Sequence, residues 1–294
     1  MTRLSWLIAA FLVVSAPAAA EPDLSADWPE YHAPAVQQLN AEEIVRLDAP
    51  EARQGVAVSR DYYYAIDNFS IAKYSRKTAQ RIALWRGPRG GPVIHLNSCF
   101  VDGDELACAH SNYPHVPFAN SVEWFDRETL RPKRSKPLGV MDEGSLVWFD
   151  HVPEGWIVGL ANYNGGSGLG FKGNIFAAIE LYDPSWRRIG GWALPETLLN
   201  RMAPKAASGG AIGPDGYLYM MGHDRPEMYV LGKPLVGATL VHVATIAIDA
   251  EGQAFDFDES ARRSVCAISR PNGQIRCFRL PAVADDPTSY VPFN

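Results

Sequence analysis

The chain has 294 residues, 47% hydrophobic and 20% charged, with a formal charge of −6. That much apolar content excludes a disordered chain. The acidic balance argues against nucleic acid as a partner, because phosphate contacts need clustered Lys and Arg.

The first twenty residues read as a secretory signal peptide. Arg3 gives the basic start, Leu4 to Val14 the apolar stretch, and Ala18-Ala19-Ala20 the small-residue cleavage site. Residues 21–294 are then expected to form one domain of a periplasmic or secreted protein. No later apolar run reaches the ~18 residues of a membrane-spanning helix, so no membrane span is expected.

From Gln54 onward the chain repeats a unit of four short alternating strands, a to d. The first runs through Gln54 to Val58, Tyr62 to Asn68, Ile71 to Tyr74 and Arg81 to Trp85. The order returns from His95, Gly144, Ser208 and Gly252. A repeat of roughly 40–50 residues with strands and turn residues is the signature of a β-propeller. The expected fold is all-β, a five-bladed propeller. Six blades result if the segment Glu196 to Ala207 is read as strand, whereas its sequence suits a short helix between blades three and four.

Blade three is read as Ser145 to Phe149, Trp156 to Leu160, Ile175 to Tyr182 and Arg188 to Leu194. In blade two, the d strand around Arg131 to Leu138 contains two prolines and should be irregular. Its basic run, Arg127 to Lys136, reads as an outer edge protected by charge. Blade five lacks a d strand, and Glu43 to Leu47 can supply it, closing the ring.

All four cysteines fall on predicted strands. A two-residue loop at Gly103-Asp104 sets Cys99 opposite Cys108, and a four-residue loop from Arg270 to Gly273 sets Cys266 opposite Cys277. At a non-hydrogen-bonded pair the Cα atoms lie about 4.5 Å apart, within disulfide range.

The a–b turns Asp102-Gly103, Pro153-Glu154-Gly155 and Pro214-Asp215-Gly216 suit tight turns. The c strands end in Tyr74-Ser75-Arg76, Phe125-Asp126-Arg127 and Tyr182-Asp183-Pro184. This texture resembles the secreted propellers that include gluconolactonase-like and NHL-type proteins. The resemblance rests on repeat features over most of the chain. It implies the fold and assigns no catalytic residue.

A propeller carries its b–c and d–a loops on one face. There the sequence places Gln54, Asp67, His95, Asn97, His110, Asn112, Tyr113, Glu143, Asn162, Tyr163, His223, Asp224 and Arg270. The opposite face is built from ordinary turns. The imidazoles of His95, His110 and His223 are the candidate ligands of a divalent transition metal or, without one, acid–base groups, with Glu143 and Asp224 as carboxylates beside them. Gln54, Asp67, Asn97, Asn112 and Asn162 would orient a substrate, Tyr113 and Tyr163 would stack on a ring, and Arg270 would hold an anion. The sequence-level function is a monomeric exported propeller acting on a small polar molecule as a lyase, cyclising enzyme or hydrolase. The alternative is a non-catalytic propeller that binds a glycan or protein. The glycine run Gly168 to Gly173 matches a dinucleotide fingerprint in spacing, but the strand expected after it fails the βαβ context. It reads instead as a long b–c loop.

Overall fold

The structure is a computed structural model that describes residues 32–165 and 168–294. Residues 1–20, expected to be a signal peptide, lie outside the described residues. The strands run in chain order: β1 (Gln37–Asn40), β2 (Glu42–Asp48), β3 (Gly55–Val58), β4 (Tyr62–Asp67), β5 (Ser70–Ser75), β6 (Arg81–Arg86), β7 (Leu96–Asp102), β8 (Glu105–Ser111), β9 (Phe118–Asp126) and β10 (Pro132–Met141). They continue with β11 (Ser145–Val152), β12 (Gly155–Ala161), β13 (Ala178–Tyr182), β14 (Arg188–Ala193), helix α1 (Glu196–Met202), β15 (Gly209–Ile212), β16 (Leu218–Met221), β17 (Glu227–Pro234), β18 (Val241–Ala247), β19 (Gly252–Phe257), β20 (Ser264–Ser269), β21 (Gln274–Arg279) and β22 (Tyr290–Val291).

Among the described residues these strands form five antiparallel meanders, β3 to β6, β7 to β10, β11 to β14, β15 to β18, and β19 to β21 closed by β2. The protein is a five-bladed β-propeller. Burial follows from the architecture. The a strand β3 is buried at every position, because a neighbouring blade covers each face. The d-position strands alternate, as in β2, where only every second residue is partly buried.

The ring closes as the sequence suggests. β2 pairs antiparallel with β21, Leu47 opposite Ile275 and Val45 opposite Cys277. Two additions were not foreseen: β1 adds to β18 in parallel, and β22 pairs with β17, so the outer edge of blade four is covered. Residues 34–294 make one compact unit. No helix of the described residues is long and apolar enough to cross a membrane.

Both disulfides form in the expected register, Cys99 with Cys108 and Cys266 with Cys277, each with Cα atoms 4.0 Å apart. β10 carries register shifts beside Pro132 and Pro137, as its prolines require. Its Arg134 and Lys133 are exposed and paired, at 2.6 and 3.1 Å from Glu105.

One strand boundary differs. The c strand of blade three begins at Ala178, not Ile175, because Asn174–Phe176 forms a 3₁₀ turn. The Asn174 side chain donates to Leu199 O at 2.8 Å and Lys205 O at 3.1 Å. These bonds draw the segment toward α1 and leave Ile175 and Phe176 exposed.

Core packing turns on Trp148, fully buried in β11. Its indole lies on Gly159 of β12 and Gly210 of β15 in the next blade, and a Cβ at either glycine would overlap the ring. Gly159→Ala and Gly210→Ala should each destabilise the fold by roughly 1–3 kcal/mol in urea unfolding. Gly190→Ala, where an added Cβ meets nothing, is the control and should be near neutral. Separately, a chain beginning at Ala49 lacks β1 and β2 and should melt roughly 10 °C or more below the longer chain, or aggregate.

Candidate functional site

The antiparallel meander fixes which connections share an end of the axis. Each b–c turn lies at the end where the a strand starts. Gln54 and the turn at 68–69 come from blade one, His95 and Tyr113 from blade two, and Tyr163 from blade three. His223 and Asp224 follow β16, Arg270 follows β20, and Lys205 lies between α1 and β15.

These side chains touch in sequence around the axis. Asn68 Oδ1 accepts from Gln54 Nε2 at 2.8 Å and from His95 Nδ1 at 2.7 Å. A carbonyl oxygen only accepts, so His95 carries its proton on Nδ1 and leaves an Nε2 lone pair. The His95 ring lies 5.0 Å from Tyr113, Tyr113 lies 5.8 Å from Tyr163, and Tyr163 lies 6.5 Å from His223. His223 Nε2 is 3.5 Å from Arg270 Nη1, while its Nδ1 is 2.7 Å from Asp224 Oδ1 and 2.8 Å from Lys205 Nζ.

Electrostatics follow from burial and from these neighbours. Burial, with His110 and Arg270 adding to it, pushes the His95 pKa down to about 4. Burial also lowers His223, and Lys205 and Arg270 reinforce this against the opposing pull of Asp224. Both rings are therefore neutral near pH 7. Burial pushes the Tyr163 hydroxyl up to about 12. The cluster thus presents two cations, one carboxylate and two neutral imidazoles.

Other predicted residues are placed differently. His110 does not join this arc with a free nitrogen. The Ile94 N–H donates to its Nε2 at 3.2 Å, and its Nδ1 lies 2.9 Å from Ser121 Oγ, which in turn donates to Glu123 at 2.6 Å. Both ring nitrogens are spent within blade two. Among the described residues no group of three or more His, Cys, Asp or Glu side chains is arranged to hold a metal.

Asn97 donates to Leu146 O at 3.0 Å and clamps blade two to blade three. Asn162 donates to Glu143 O at 2.6 Å, so Glu143 is held by its backbone. Asn112 shapes its own loop through Pro117 O and Ala119 N, both at 2.9 Å. Asp67 accepts from Asn68 N at 2.8 Å within its turn. Sequence reasoning missed Asn68 and Lys205 as members of the arc. Asn68 was visible in the first b–c loop, whereas no repeat position marks Lys205.

The opposite end is not only a set of turns. A cavity of about 560 Å³ opens there, lined by the a strands of all five blades and including Asp150 and Asp256. The turns were read correctly, but the carboxylates sit on strands β11 and β19.

No protein-family model matches the sequence, and no curated protein matches it. Solved structures do. The chain is similar to a chain of a mitotic checkpoint complex structure, with 10% identity, TM-score 0.45, and 95% of this chain and 100% of that chain covered. It is also similar to a luciferin-regenerating enzyme, with 10% identity, TM-score 0.47 and 85% and 98% covered. The Cps50 (Swd1) β-propeller domain of Myceliophteria thermophila gives 10% identity, TM-score 0.38 and 77% and 83% covered. These likenesses concern the fold.

The depressed His95 pKa has a definite sign. The folded value lies below the ordinary 6.5, so the folded state binds fewer protons than the unfolded chain. Stability from this group is present above pH 6.5 and is lost as pH falls to about 4, by up to roughly 3 kcal/mol. An NMR titration of the His95 ring should show a midpoint near 4. A midpoint at or above 6.5 would mean that the ring is solvated.

Proposed function

We propose that the b–c end of the axis binds a small carboxylate-bearing molecule with a flat or cyclic face, in an exported protein. The observation that carries this reading is the unbroken arc from His95 through Tyr113, Tyr163 and His223 to Arg270. Arg270 and Lys205 supply the charge for a carboxylate. Tyr113 and Tyr163 offer ring faces and edges to a sugar or other ring. Export rests on the signal-like first twenty residues and on two disulfides, which suit an oxidising compartment.

The chemistry that fits is proton removal by His95 Nε2, in a lyase, cyclising or hydrolytic reaction. A neutral imidazole with pKa about 4 is a weak base when the site is empty. A bound anion beside it would raise that value and make it a better acceptor. Metal assistance would have to draw on His95 and His223 with water or substrate completing the shell, because both His110 nitrogens are engaged.

A second reading is favoured by a specific feature of the same end. Phe69, Val116, Phe171, Ile175 and Phe176 are exposed on the b–c connections of three adjacent blades. An apolar rim of this kind suits a protein or glycan partner, without chemistry.

Calorimetry with glucuronate and glucose separates a charge-reading site from a surface without one. Glucuronate should bind more tightly than glucose, and Arg270→Ala should weaken glucuronate about tenfold while leaving glucose unchanged. Equal affinity for the two sugars, or no binding of glucuronate, would remove the proposal and leave the rim reading.

A further inference from the structure

We infer that the cavity at the a–b end of the axis is a second binding site, shaped for a small zwitterion: a free α-amino acid with an apolar side chain. Its ammonium group would lie between Asp150 and Asp256, and its carboxylate would face Arg60.

The cavity, about 560 Å³, falls within the size range of small-molecule sites. Its polar groups are separated by depth. Asp150 and Asp256 project from strands β11 and β19 and are partly buried, whereas Arg60 stands exposed in the turn after β3. Arg127 and Glu259 also line it. Arg127 is already tied through Nη1 to Gly103 O at 2.8 Å, while the Arg60 guanidinium makes no hydrogen bond among the described residues.

Ser98 adds an unpartnered polar group to the cavity wall. It is 4% exposed and lines the cavity, yet its hydroxyl makes no hydrogen bond among the described residues. A hydroxyl open to a cavity is free to bond water or a ligand there. Phe100, Ile212 and Phe257 supply the apolar walls.

The carboxylates keep acceptor sites that an ammonium can use. Asp150 Oδ2 accepts from Ile212 N and Oδ1 from His151 N, both at 2.7 Å, and Asp256 Oδ2 accepts from Val58 N at 2.8 Å. Backbone donors thus occupy one lone pair on each Asp150 oxygen and one on Asp256 Oδ2, leaving acceptor sites free on both carboxylates. Acceptors on separate blades suit the divergent N–H bonds of an ammonium. Burial first, and then the mutual repulsion of the pair for Asp256, raises both pKa values, Asp150 to about 6. A cation between them relieves that repulsion.

The test is calorimetry on the chain without residues 1–20, with L-phenylalanine, phenethylamine and 3-phenylpropionate at pH 7.5 and one salt concentration. L-Phenylalanine should bind on the order of tenfold more tightly than either single-charge analogue. Asp256→Asn keeps an acceptor for Val58 N and should weaken both L-phenylalanine and phenethylamine. Arg60→Ala, on an exposed turn, should weaken L-phenylalanine about tenfold and leave phenethylamine unchanged. Arg270→Ala removes carboxylate binding at the other end of the axis, and in that background the Asp256→Asn and Arg60→Ala effects should persist unchanged. Absence of L-phenylalanine binding at millimolar concentration would overturn the inference. So would phenethylamine binding as tightly as L-phenylalanine, or Arg60→Ala without effect.

Discussion

The pairing of β2 with β21 is the contact on which the rest of the architecture depends. It joins the start of the propeller to its last blade, and no covalent link does so. Its register runs from Glu42 opposite Arg279 to Asp48 opposite Gln274. The Cys266–Cys277 disulfide fixes β20 against β21, the strand that receives β2. Charge supports the same joint, with Arg276 4.0 Å from Glu43 and Arg279 2.8 Å from Glu42. β1 then continues onto β18, so the N-terminal segment laces blades five and four together. Once the latch is shut, blades five and one meet directly: Ala254 N donates to Gln54 O at 3.0 Å, and Val58 N donates to Asp256 at 2.8 Å. Arg270 and Asn68 serve one end of the axis only because of that meeting.

A ring of blades creates a specific polar problem at its centre. Each a strand is the inner edge of its sheet and exposes N–H and C=O groups that no further strand can pair. This chain answers with side chains from adjacent strands. Asn97 takes Leu146 O, Asn120 takes Leu146 N and Gly144 O, Asp150 takes Ile212 N, and Asp256 takes Val58 N. A polar residue facing the axis is therefore as often a staple between blades as a functional group. What separates the two is how much of the side chain is already spent. His110 has both nitrogens engaged, whereas His95 keeps Nε2.

That distinction sets the limit of what the sequence reveals. Strand alternation and turn chemistry are local, so the five blades, the short helix and both disulfides were legible in the residues. Closure was legible because blade five ran out of strands while an apolar segment remained ahead of blade one. The position of Lys205 was not, because it follows a helix outside the repeat and meets His223 only through the fold. The start of β13 was missed for a similar reason: Asn174 answers carbonyls near α1 that strand propensity does not record. The cavity at the a–b end was hidden because its carboxylates lie within strands that otherwise read as core.

The two ends of the axis also differ in charge, and the whole molecule sharpens the difference. The chain carries a formal charge of −6, so its long-range field repels anions. Arg270 and Lys205 must overcome that field locally at the b–c end. At the a–b end, Asp150 and Asp256 act with the field, and it draws cations toward them. Salt screens the field beyond a Debye length of about 8–10 Å but leaves contact pairs largely intact. Raising ionic strength therefore weakens the long-range repulsion of anions at one end and the attraction of cations at the other. The ring geometry keeps these ends apart, with the stacked side chains of five a strands between them. One fold can in this way carry opposite local charge at its two ends without either neutralising the other.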